Sequence, residues 1–298
     1  MYGIIYNPVS GGGKGAELAD RVTAILKERN IENRLYASTG VGDPYVQAKQ
    51  ALQNGCDALV CLGGDGTLSE VIEVVVEGKV PFFIVPSGTG NDFARVLNLP
   101  KDPIEAFISQ LDGTPVTADC GRINGKCFIN ISGTGFDVAV LEKTEELKEI
   151  YPGEKAYRKA LMSVLKDYKP MEAMVSIDDG PFEKHLLSII EVANGQYFGG
   201  GMRVAPEAKI HDGMFDLIII RDVPKFLLLI LLPFFLFSLH VKVGLAKRIL
   251  ARKVVIRSKN MTVNIDGRLE KMDEAAYEIL AGALQLRLPD GPTVPLGK

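Results

Sequence analysis

The sequence predicts an α/β protein in two parts: a doubly wound, parallel-sheet domain followed by an antiparallel β domain. Up to about residue 118, strand-like and helix-like segments alternate, which is typical of a parallel sheet covered by helices. After Asp119, short β-like runs dominate, separated by Asn-Gly and Asp-Gly turns. The chain has 298 residues, of which 47% are hydrophobic, so it can bury a core large enough for two domains.

The elements of the first part follow from hydrophobic periodicity and β-branched content. Short apolar runs predict strands at Gly3–Tyr6, Asn33–Ala37, Ala58–Leu62 and Pro81–Val85. Amphipathic segments predict helices at Ala16–Arg29, Pro44–Gln53, Leu68–Val76, Asn91–Leu97 and Pro103–Gln110. The spacing of Thr67 and Glu70 predicts a capping box at the start of the third helix. Such a sheet binds its ligands at the carboxyl ends of the strands.

In the second part the β-like runs are short and spaced by turns. They lie at Cys127–Ile131, Ala173–Ile177, His185–Val192, Phe215–Ile220, Lys253–Ser258, Thr262–Ile265 and Ala283–Leu288. Turns are predicted at Asn124-Gly125, Asp179-Gly180 and Asp212-Gly213. The pattern indicates an antiparallel sheet.

Three strands of the first part end in glycine-rich loops. Asn7 to Lys14 follows the first strand, Gly63 to Ser69 the third, and Pro86 to Asp92 the fourth. A strand that turns through glycines into a helix presents backbone N–H groups at the positive end of the helix dipole, where phosphate binds. Loops on adjacent strands are therefore expected to converge on one polyphosphate. Asp65 sits among glycines, where a carboxylate can hold a magnesium ion or its waters.

Two common nucleotide motifs are excluded. The Walker pattern needs a glycine five residues before Gly13, and that position holds Pro8. Neither glycine pair completes G-x-G-x-x-G, because the last position is Ser69 in one loop and Phe93 in the other. A P-loop ATPase and a Rossmann dehydrogenase both become less favoured, and a nucleotide site built from another loop set remains.

The chain resembles the diacylglycerol kinase catalytic family, which is related to sphingosine kinases and, more distantly, to NAD kinases. In the first part the matching segments are Asn7-Pro8 with Ser10-Gly11, Gly63–Thr67 with Glu70-Val71, and Pro86, Gly88-Thr89, Asn91-Asp92 and Ala94-Arg95. Further along they are Gly133–Asp137, Asn194-Gly195, Gly199–Gly201, Pro206, Ala208, Asp212-Gly213 and Asp266-Gly267. The resemblance covers nearly the whole length in the right order.

The resemblance implies a β-sandwich as the second domain and an ATP- and Mg²⁺-dependent lipid kinase. It implies an ATP-binding domain at 1–118, with the tail 289–298 as a further candidate part, and a lipid-acceptor domain at 119–288. The residues expected to bind the nucleotide are Asn7, Pro8, Ser10, Gly11, Lys14, Ser38, Gly63, Gly64, Gly66, Thr67, Leu68, Ser69, Gly88, Thr89 and Asn91. By the same resemblance, Asp119 joins Asp65 in positioning Mg-ATP. A structural magnesium is implied at Lys209, Asp212 and Met214, although Asp212-Gly213 by itself is more typical of a hairpin turn.

One position departs from the family. The general base of the family is the Glu of an Asp-Gly-Glu triplet, but this chain has Arg268 there, and arginine cannot accept a proton. Three accounts stay open: Glu270 reaches the site, Asp266 acts as the base, or the chain is a weak kinase that regulates by binding nucleotide or lipid. Arg268 could instead face an anionic head group. A kinase of NAD type shares the Gly-Gly-Asp-Gly loop and is a further alternative.

Composition limits the partners and the compartment. The formal net charge of −3 gives no basic surface for nucleic acid. The four cysteines form no C-x-x-C pair, and Cys61 lies in a predicted buried strand, so reduced thiols in a cytoplasmic protein are expected. The N-terminus reads as a strand, without the features of a signal peptide.

The segment 226–241 is almost continuously apolar and is followed by basic residues, namely Lys242, Lys247, Arg248, Arg252 and Lys253. It is short for a membrane span and has Pro233 at its centre. It also lacks the polar face of a surface helix. Apolar residues beside cations favour reversible docking on an anionic membrane, with a membrane lipid as substrate. A buried helical pair or a homodimer contact stays open, as does a span.

Overall fold

A four-stranded parallel sheet in the order β2-β1-β3-β4 forms the centre of the first domain. Its strands are β1 (Tyr2–Tyr6), β2 (Asn33–Ala37), β3 (Ala58–Gly63) and β4 (Phe82–Pro86). The helices are α1 (Ser10–Glu28), α2 (Asp43–Gln53), α3 (Asp65–Gly78), α4 (Asp92–Val96) and α5 (Pro103–Leu111). The computed structural model describes residues 1–151, 154–225, 228, 244 and 246–289.

Helices cover both faces of this sheet, as predicted. Leu26 of α1 and Phe107 of α5 belong to the core on one face, with Val60 of β3. On the other face, Ala51 of α2 and residues of α3 pack against Cys61. The alternating side chains of β3 and β4 supply both cores, which explains why these two strands are apolar throughout. The sheet is therefore doubly wound.

Two helices begin earlier than the sequence indicates. α1 begins at Ser10, so the glycines after it form its first turns rather than a separate loop. α3 begins at Asp65 with Gly64 at the cap, and this makes the predicted capping box wrong. Thr67 is already inside the helix, and the carboxylate of Glu70 instead accepts the backbone N–H of Gly42 at 2.9 Å.

The second domain is a nine-stranded, largely antiparallel sheet in the order β13-β12-β9-β7-β14-β15-β5-β6, with β8 pairing both β14 and β9. The strands are β5 (Thr114–Ile123), β6 (Lys126–Phe128), β7 (Ile131–Gly135), β8 (Met171–Ile177), β9 (Glu183–Ala193), β12 (Phe215–Arg221), β13 (Lys247–Ala251), β14 (Lys253–Ile265) and β15 (Arg268–Leu288). A separate two-stranded sheet consists of β10 (Tyr197–Phe198) and β11 (Met202–Arg203). Because β7 and β8 each join β9 to β14, the large sheet folds over a single apolar interior in the manner of a sandwich.

Two helices in this domain were not predicted. α6 (Phe136–Leu147) and α7 (Glu154–Asp167) lie against one outer face of the sheet. Their apolar positions are interspersed with charges, and α7 buries the small residues Ala156 and Ala160. The apolar periodicity of α6 is weak, whereas the amphipathic pattern of α7 was present in the sequence and was missed.

Long strands replace several predicted short ones. The runs Lys253–Ser258 and Thr262–Ile265 are one strand, β14, with an irregularity in its pairing between Arg257 and Met261. The run Ala283–Leu288 is the end of β15, which is 21 residues long. β5 enters the large sheet at Thr114, ahead of the predicted boundary at 118/119.

The two domains share apolar contacts. Leu284, Leu286 and Leu288 of β15 belong to the same core as α2 and α3 of the first domain. A parallel bridge joins Gln285 to Pro81, next to β4. The first domain is thus completed by the end of β15, whereas residues 290–298 lie outside the described residues.

The predicted membrane segment cannot be assessed, because 226–241 lies outside the described residues except for Leu228. Among the described helices, none has the length and hydrophobicity required to cross a membrane. Of the basic residues after the segment, Arg248 is already paired with Glu207 and Asp216, and Lys253 is paired with Asp179.

Candidate active site

A polar cleft of about 340 Å³ lies between the two domains, beside the carboxyl ends of β3 and β4. Its walls combine three carboxylates with one guanidinium. The lining residues are Asp65, Gly66, Asp92, Asn130, Leu141, Tyr197, Phe198, Gly199, Gly200, Asp266, Gly267 and Arg268. The carboxyl edge of a parallel sheet is the expected place for a ligand site.

Asp65 is the first residue of α3, and it faces the start of α4. Its Oδ1 accepts the backbone N–H of Phe93 at 3.2 Å. Its Oδ2 lies close to Gly90, where a β-carbon would be 2.8 Å from that oxygen. The loops after β3 and β4 therefore converge as predicted, with the Asp65 carboxylate between them.

The loop after β4 is closed by its own side chains. Asn91 accepts the N–H of Gly88 through Oδ1 at 3.0 Å and donates through Nδ2 to the carbonyl of Gly88 at 2.8 Å. Thr89 and Gly88 are exposed on this loop. Exposed backbone amides next to a helix start can receive phosphate oxygens.

The loop after β3 and the first turns of α3 pack tightly. Gly63 lies against Thr67, since a β-carbon on Gly63 would be 2.5 Å from that of Thr67. Leu68 and Ser69 are buried, so their side chains serve the core rather than a ligand surface. Of this predicted set, Gly66 lines the cleft.

The loop after β1 lies at the same edge of the sheet, since β1 is next to β3. Asn7 accepts the N–H of Val9 through its side chain, and Ser10 donates its hydroxyl to the carbonyl of Asn7 at 2.9 Å. Lys14 is exposed. Ser38, at the end of β2, is buried and donates its hydroxyl to the carbonyl of Tyr6 at 3.1 Å. Neither these residues nor Pro8 and Gly11 line the cleft described above.

Asp92 is a site residue that the sequence analysis did not select. It is 4% exposed, and its Oδ2 accepts the N–H of Gly200 at 2.8 Å, while Arg95 pairs with its other oxygen. Burial raises the pKa of Asp92, and the negative charge of Asp65 adds to the effect. The signal was present in Asn91-Asp92, since that pair is part of the family resemblance.

Asp266 occupies the two-residue hairpin between β14 and β15. Asp266 and Gly267 both have left-handed backbones, with φ of 46° and 92°. The carboxylate turns inward and accepts three amides, those of Ile129 at 2.7 Å, Asn130 at 3.0 Å and Ile131 at 3.1 Å. Burial nevertheless raises the pKa of Asp266 to about 6, with a further contribution from Asp65. Such a pKa suits a group that takes up a proton near neutral pH.

Arg268 and Glu270 take different positions. Arg268 lines the cleft, and its Nε is buried without a hydrogen-bond partner among the described residues. Glu270 is held by Lys126, whose Nζ lies 2.6 Å and 2.7 Å from the two carboxylate oxygens. Glu270 is not among the cleft-lining residues, so Asp266 is better placed to act as a base.

Asp119 lies near the loop of the predicted structural magnesium. Its Oδ2 accepts the N–H of Gly213 at 2.7 Å, and its Oδ1 accepts the N–H of Gly282 at 2.8 Å. Asp212 in that loop accepts the N–H of Met214 at 3.1 Å, in the manner of a turn. Lys209 is exposed there. Throughout the described ranges, no three His, Cys, Asp or Glu side chains cluster as a metal site.

An apolar pocket of about 220 Å³ adjoins the cleft. It lies between α6, α7 and the outer face of the large sheet, and includes Phe136, Val140 and Ile189. Leu141, Phe198 and Gly199 line both cavities. The two cavities therefore lie side by side and have part of their walls in common.

Comparison with known proteins identifies the family. Residues 1–123 match the diacylglycerol kinase catalytic domain, and residues 130–288 match the YegS C-terminal NAD kinase β-sandwich-like domain. The chain is 31% identical over 221 residues to the diacylglycerol kinase of Staphylococcus carnosus, covering 73% of this chain and 72% of that one. It is 29% identical over 289 residues to the diacylglycerol kinase of Mycobacterium tuberculosis, covering 95% and 93%.

Solved structures show the same fold. A diacylglycerol kinase from Bacillus anthracis superposes with a TM-score of 0.73 at 19% identity, over 98% of this chain and 97% of that chain. An NAD kinase from Archaeoglobus fulgidus in complex with ATP superposes with a TM-score of 0.55 at 15% identity, over 97% and 94%. The two family matches and the curated relatives agree, and the chain belongs to the diacylglycerol kinase catalytic family of lipid kinases.

Proposed function

We propose that this protein transfers the γ-phosphate of ATP to the hydroxyl of diacylglycerol or a related lipid alcohol, with Mg²⁺ as the metal. The observation that carries the proposal is the adjacency of two cavities. A cleft with carboxylate residues at the sheet edge and an apolar pocket share wall residues at Leu141, Phe198 and Gly199. A soluble acceptor would need no such pocket, which disfavours a kinase of NAD type.

The first domain supplies the nucleotide side of the site. The starts of α3 and α4 direct backbone amides toward the same region, and phosphate binds at such positions. The ATP bound by the related NAD kinase fold supports ATP as donor. Asp65 and Asp92 would hold Mg²⁺, since carboxylate oxygens are its preferred protein ligands. When bound, the metal offsets the negative charge of the phosphates.

The second domain supplies the acceptor side. Asp266 takes the proton of the acceptor hydroxyl in this proposal, because the residue lies at the cleft and burial raises its pKa to about 6. Arg268 faces the same space and offers an unpartnered Nε–H to an anionic oxygen. Phosphoryl transfer depends mainly on such positioning and charge stabilisation.

Arg268 also favours the second candidate function, a catalytically weak regulator that binds nucleotide or lipid. The family places a glutamate where this chain has Arg268. The cleft residues argue against such a regulator. Asp65, Asp92 and Asp266 all lie in the cleft, so residues that can bind a metal ion and accept a proton are present.

The deciding experiment follows labelled phosphate from γ-labelled ATP to a panel of lipid alcohols in mixed micelles, with NAD as a control acceptor. We expect a labelled lipid in the presence of Mg²⁺ and none after chelation. Product from NAD but from no lipid would overturn the proposal. Measurable ATP binding without any transfer would favour the regulator.

Substrate access is part of the proposal. We propose that the apolar segment 226–241 lets the protein contact a membrane surface reversibly, assisted by the unpaired cations after it. Arg248 and Lys253 are engaged by carboxylates, so the assistance comes from the remaining basic residues, such as Lys247 and Arg252. Apolar insertion with a modest cationic contribution is typical of interfacial enzymes.

A further inference from the structure

Two acidic side chains lie at the floor of the apolar pocket. Asp137 begins the first turn of α6, and Glu191 lies in the middle of β9. Both line the pocket together with aliphatic and aromatic residues. Glu191 is 3% exposed, although the neighbours of its strand on this face are Ile189 and Ala193. An acid in such a position is costly unless it is paired or has a function.

The fold makes room for Glu191. In the ladder between β7 and β9, Gly133 stands directly opposite Glu191. A β-carbon on Gly133 would be 2.3 Å from Oε2 of Glu191. Only a glycine leaves that space, so the carboxyl group of Glu191 lies over the backbone of β7 and is held in one place.

Three of the four carboxyl oxygens of the two acids receive no hydrogen bond from the rest of the described protein. Oδ1 of Asp137 and both carboxyl oxygens of Glu191 are buried, and they have no donor among the described residues. The two carboxyl groups can satisfy each other only by sharing a proton. In keeping with this, burial together with the charge of Asp137 raises the pKa of Glu191 well above its usual range. Burial also raises the pKa of Asp137.

Other titratable groups near the pair are phenols. Asp137 acts electrostatically on Tyr157 and Tyr168, and Glu191 acts on Tyr277, while burial raises the pKa of all three phenols. Among the described residues that line the pocket there is no cation. After a proton has been shared, acceptor lone pairs are therefore left inside an apolar cavity.

We propose that the Asp137–Glu191 pair accepts a hydrogen bond from a donor group, a hydroxyl or an ammonium, carried by the apolar molecule that fills this pocket. The inference rests on the proposed lipid kinase function and narrows its acceptors to related lipid alcohols that carry a second donor, which diacylglycerol lacks. An acceptor whose apolar body bears a second donor, besides the hydroxyl to be phosphorylated, satisfies the pair. A purely hydrocarbon body leaves the pair unsatisfied and is disfavoured. Asp137 and Glu191 are thus specificity-determining, positioning residues, remote from the transferred phosphate.

Binding of simple amphiphiles without nucleotide tests the pair directly. The probes are 1-decanol, decylammonium and decyl methyl ether, which have the same chain but differ in the donor. We expect calorimetry below the micellar range to give both donors an affinity about tenfold or more above the ether, since the ether cannot donate a hydrogen bond to the buried acceptors. If decanol alone shows the preference, the donor is a hydroxyl, and if decylammonium alone shows it, the donor is a cation.

Variants separate recognition from a structural role. Glu191→Met keeps the volume over Gly133 and removes the acceptors, so we expect the donor preference to fall below about threefold while affinity for the ether is kept. Its melting temperature should stay equal or rise, because a buried acid has been removed. Asp137→Asn is the second variant and should also reduce the preference. Glu183→Met, on the same strand but with a 71% exposed side chain, is the matched control and should change nothing.

The outcomes are distinct from those of the proposed function. Equal affinity of wild type for all three probes, or a preference that survives both variants, would overturn the inference. In the transfer assay, we expect Glu191→Met to raise KM for a donor-bearing lipid about tenfold while leaving kcat and the KM for ATP unchanged. If the wild type prefers the donor-bearing probes in binding but transfers no phosphate, the kinase proposal is contradicted and the inference about the donor site is retained.

Discussion

Gly64 and Gly88 pack backbone against backbone, so that a β-carbon on Gly88 would stand 2.5 Å from the Cα of Gly64. This contact brings the loop after β3 and the loop after β4 together. Such a distance is not found between real atoms, so either loop must move if Gly88 gains a side chain. The two loops thus depend on each other for their positions.

Gly88→Ala should therefore destabilise the protein by about 1–3 kcal/mol and weaken ATP binding. Thermal unfolding and calorimetric titration with ATP measure the two effects. Gly40→Ala is the control, since a β-carbon there meets nothing within 4 Å. Unchanged ATP affinity in Gly88→Ala would show that the close approach has no bearing on the nucleotide site.

Asp65→Asn should lower kcat by about 10²-fold or more while leaving the melting temperature near that of wild type. Asparagine keeps an oxygen for the N–H of Phe93 but loses the charge needed by the metal. Asp43→Asn at the start of α2 is a matched control outside the cleft. A large loss of melting temperature would assign Asp65 a structural role, and near-normal turnover would contradict its place in catalysis.

Glu270→Gln should change turnover less than about threefold, because Lys126 holds Glu270 and the residue does not line the cleft. Arg268→Glu restores the triplet of the family next to Asp266. If Asp266 already acts as the base, the gain in turnover should stay below about tenfold. A gain of about 10²-fold or more would show that the chain lacks an effective base. Steady-state assays of both variants decide between these accounts.

The raised pKa of Asp266 predicts an acid limb in activity. A base must be ionised, so kcat/KM should rise with pH through about 6 in the wild type. In Asp266→Asn the overall rate should fall and this limb should disappear. A limb with the same midpoint in the variant would belong to another group.

Stability should show the opposite trend. An acid whose pKa is higher in the folded than in the unfolded state stabilises the fold fully when the pH is below its pKa in the unfolded chain. This stabilisation is lost as the pH rises through the folded-state pKa, which is about 6 for Asp266. Relative to Asp266→Asn, the wild type should lose on the order of 2–3 kcal/mol between about pH 4 and pH 7. Denaturant unfolding of both proteins at these pH values measures the difference, and parallel pH profiles would contradict the prediction.

Replacement of Phe234, Phe235 and Phe237 by serine should abolish vesicle binding and activity on bilayer substrate, yet preserve ATP affinity. Each phenylalanine contributes about 1.5–3 kcal/mol when buried in lipid. Co-sedimentation with anionic vesicles at low and high salt separates the apolar from the cationic contribution, since salt screens only the latter. Wild-type protein that stays in the supernatant at low salt would end the membrane proposal.

Much of the first domain was predictable because its signals are local. An apolar run followed by glycines, as in Ala58 to Gly66, predicts both the strand and the position of the loop that follows it. Asp65 was found for this reason. Helix starts were harder to predict, since the glycines after Ser10 are typical of a loop, yet they lie in the first turns of α1.

The acceptor side was harder to predict, since its signals are distributed along the chain. Asp266 reaches amides of Ile129 to Ile131, more than 130 positions away. Glu191 reads as an ordinary strand residue until its position opposite Gly133 and beside Asp137 is known. Glu270 forms an ion pair with Lys126 and does not line the cleft. The spacing of the two residues along the chain does not indicate this ion pair. Pairings of this kind exist only once the large sheet has formed.

The last strand has a consequence for synthesis on the ribosome. Because Leu284, Leu286 and Leu288 complete the core around α2 and α3, the first hundred residues emerge without the side chains that finish their own packing. Release of the final strand from the exit tunnel should therefore precede nucleotide binding. A nascent chain stalled before residue 280 should remain sensitive to protease at α3, and extension past residue 288 together with the tunnel length should confer protection.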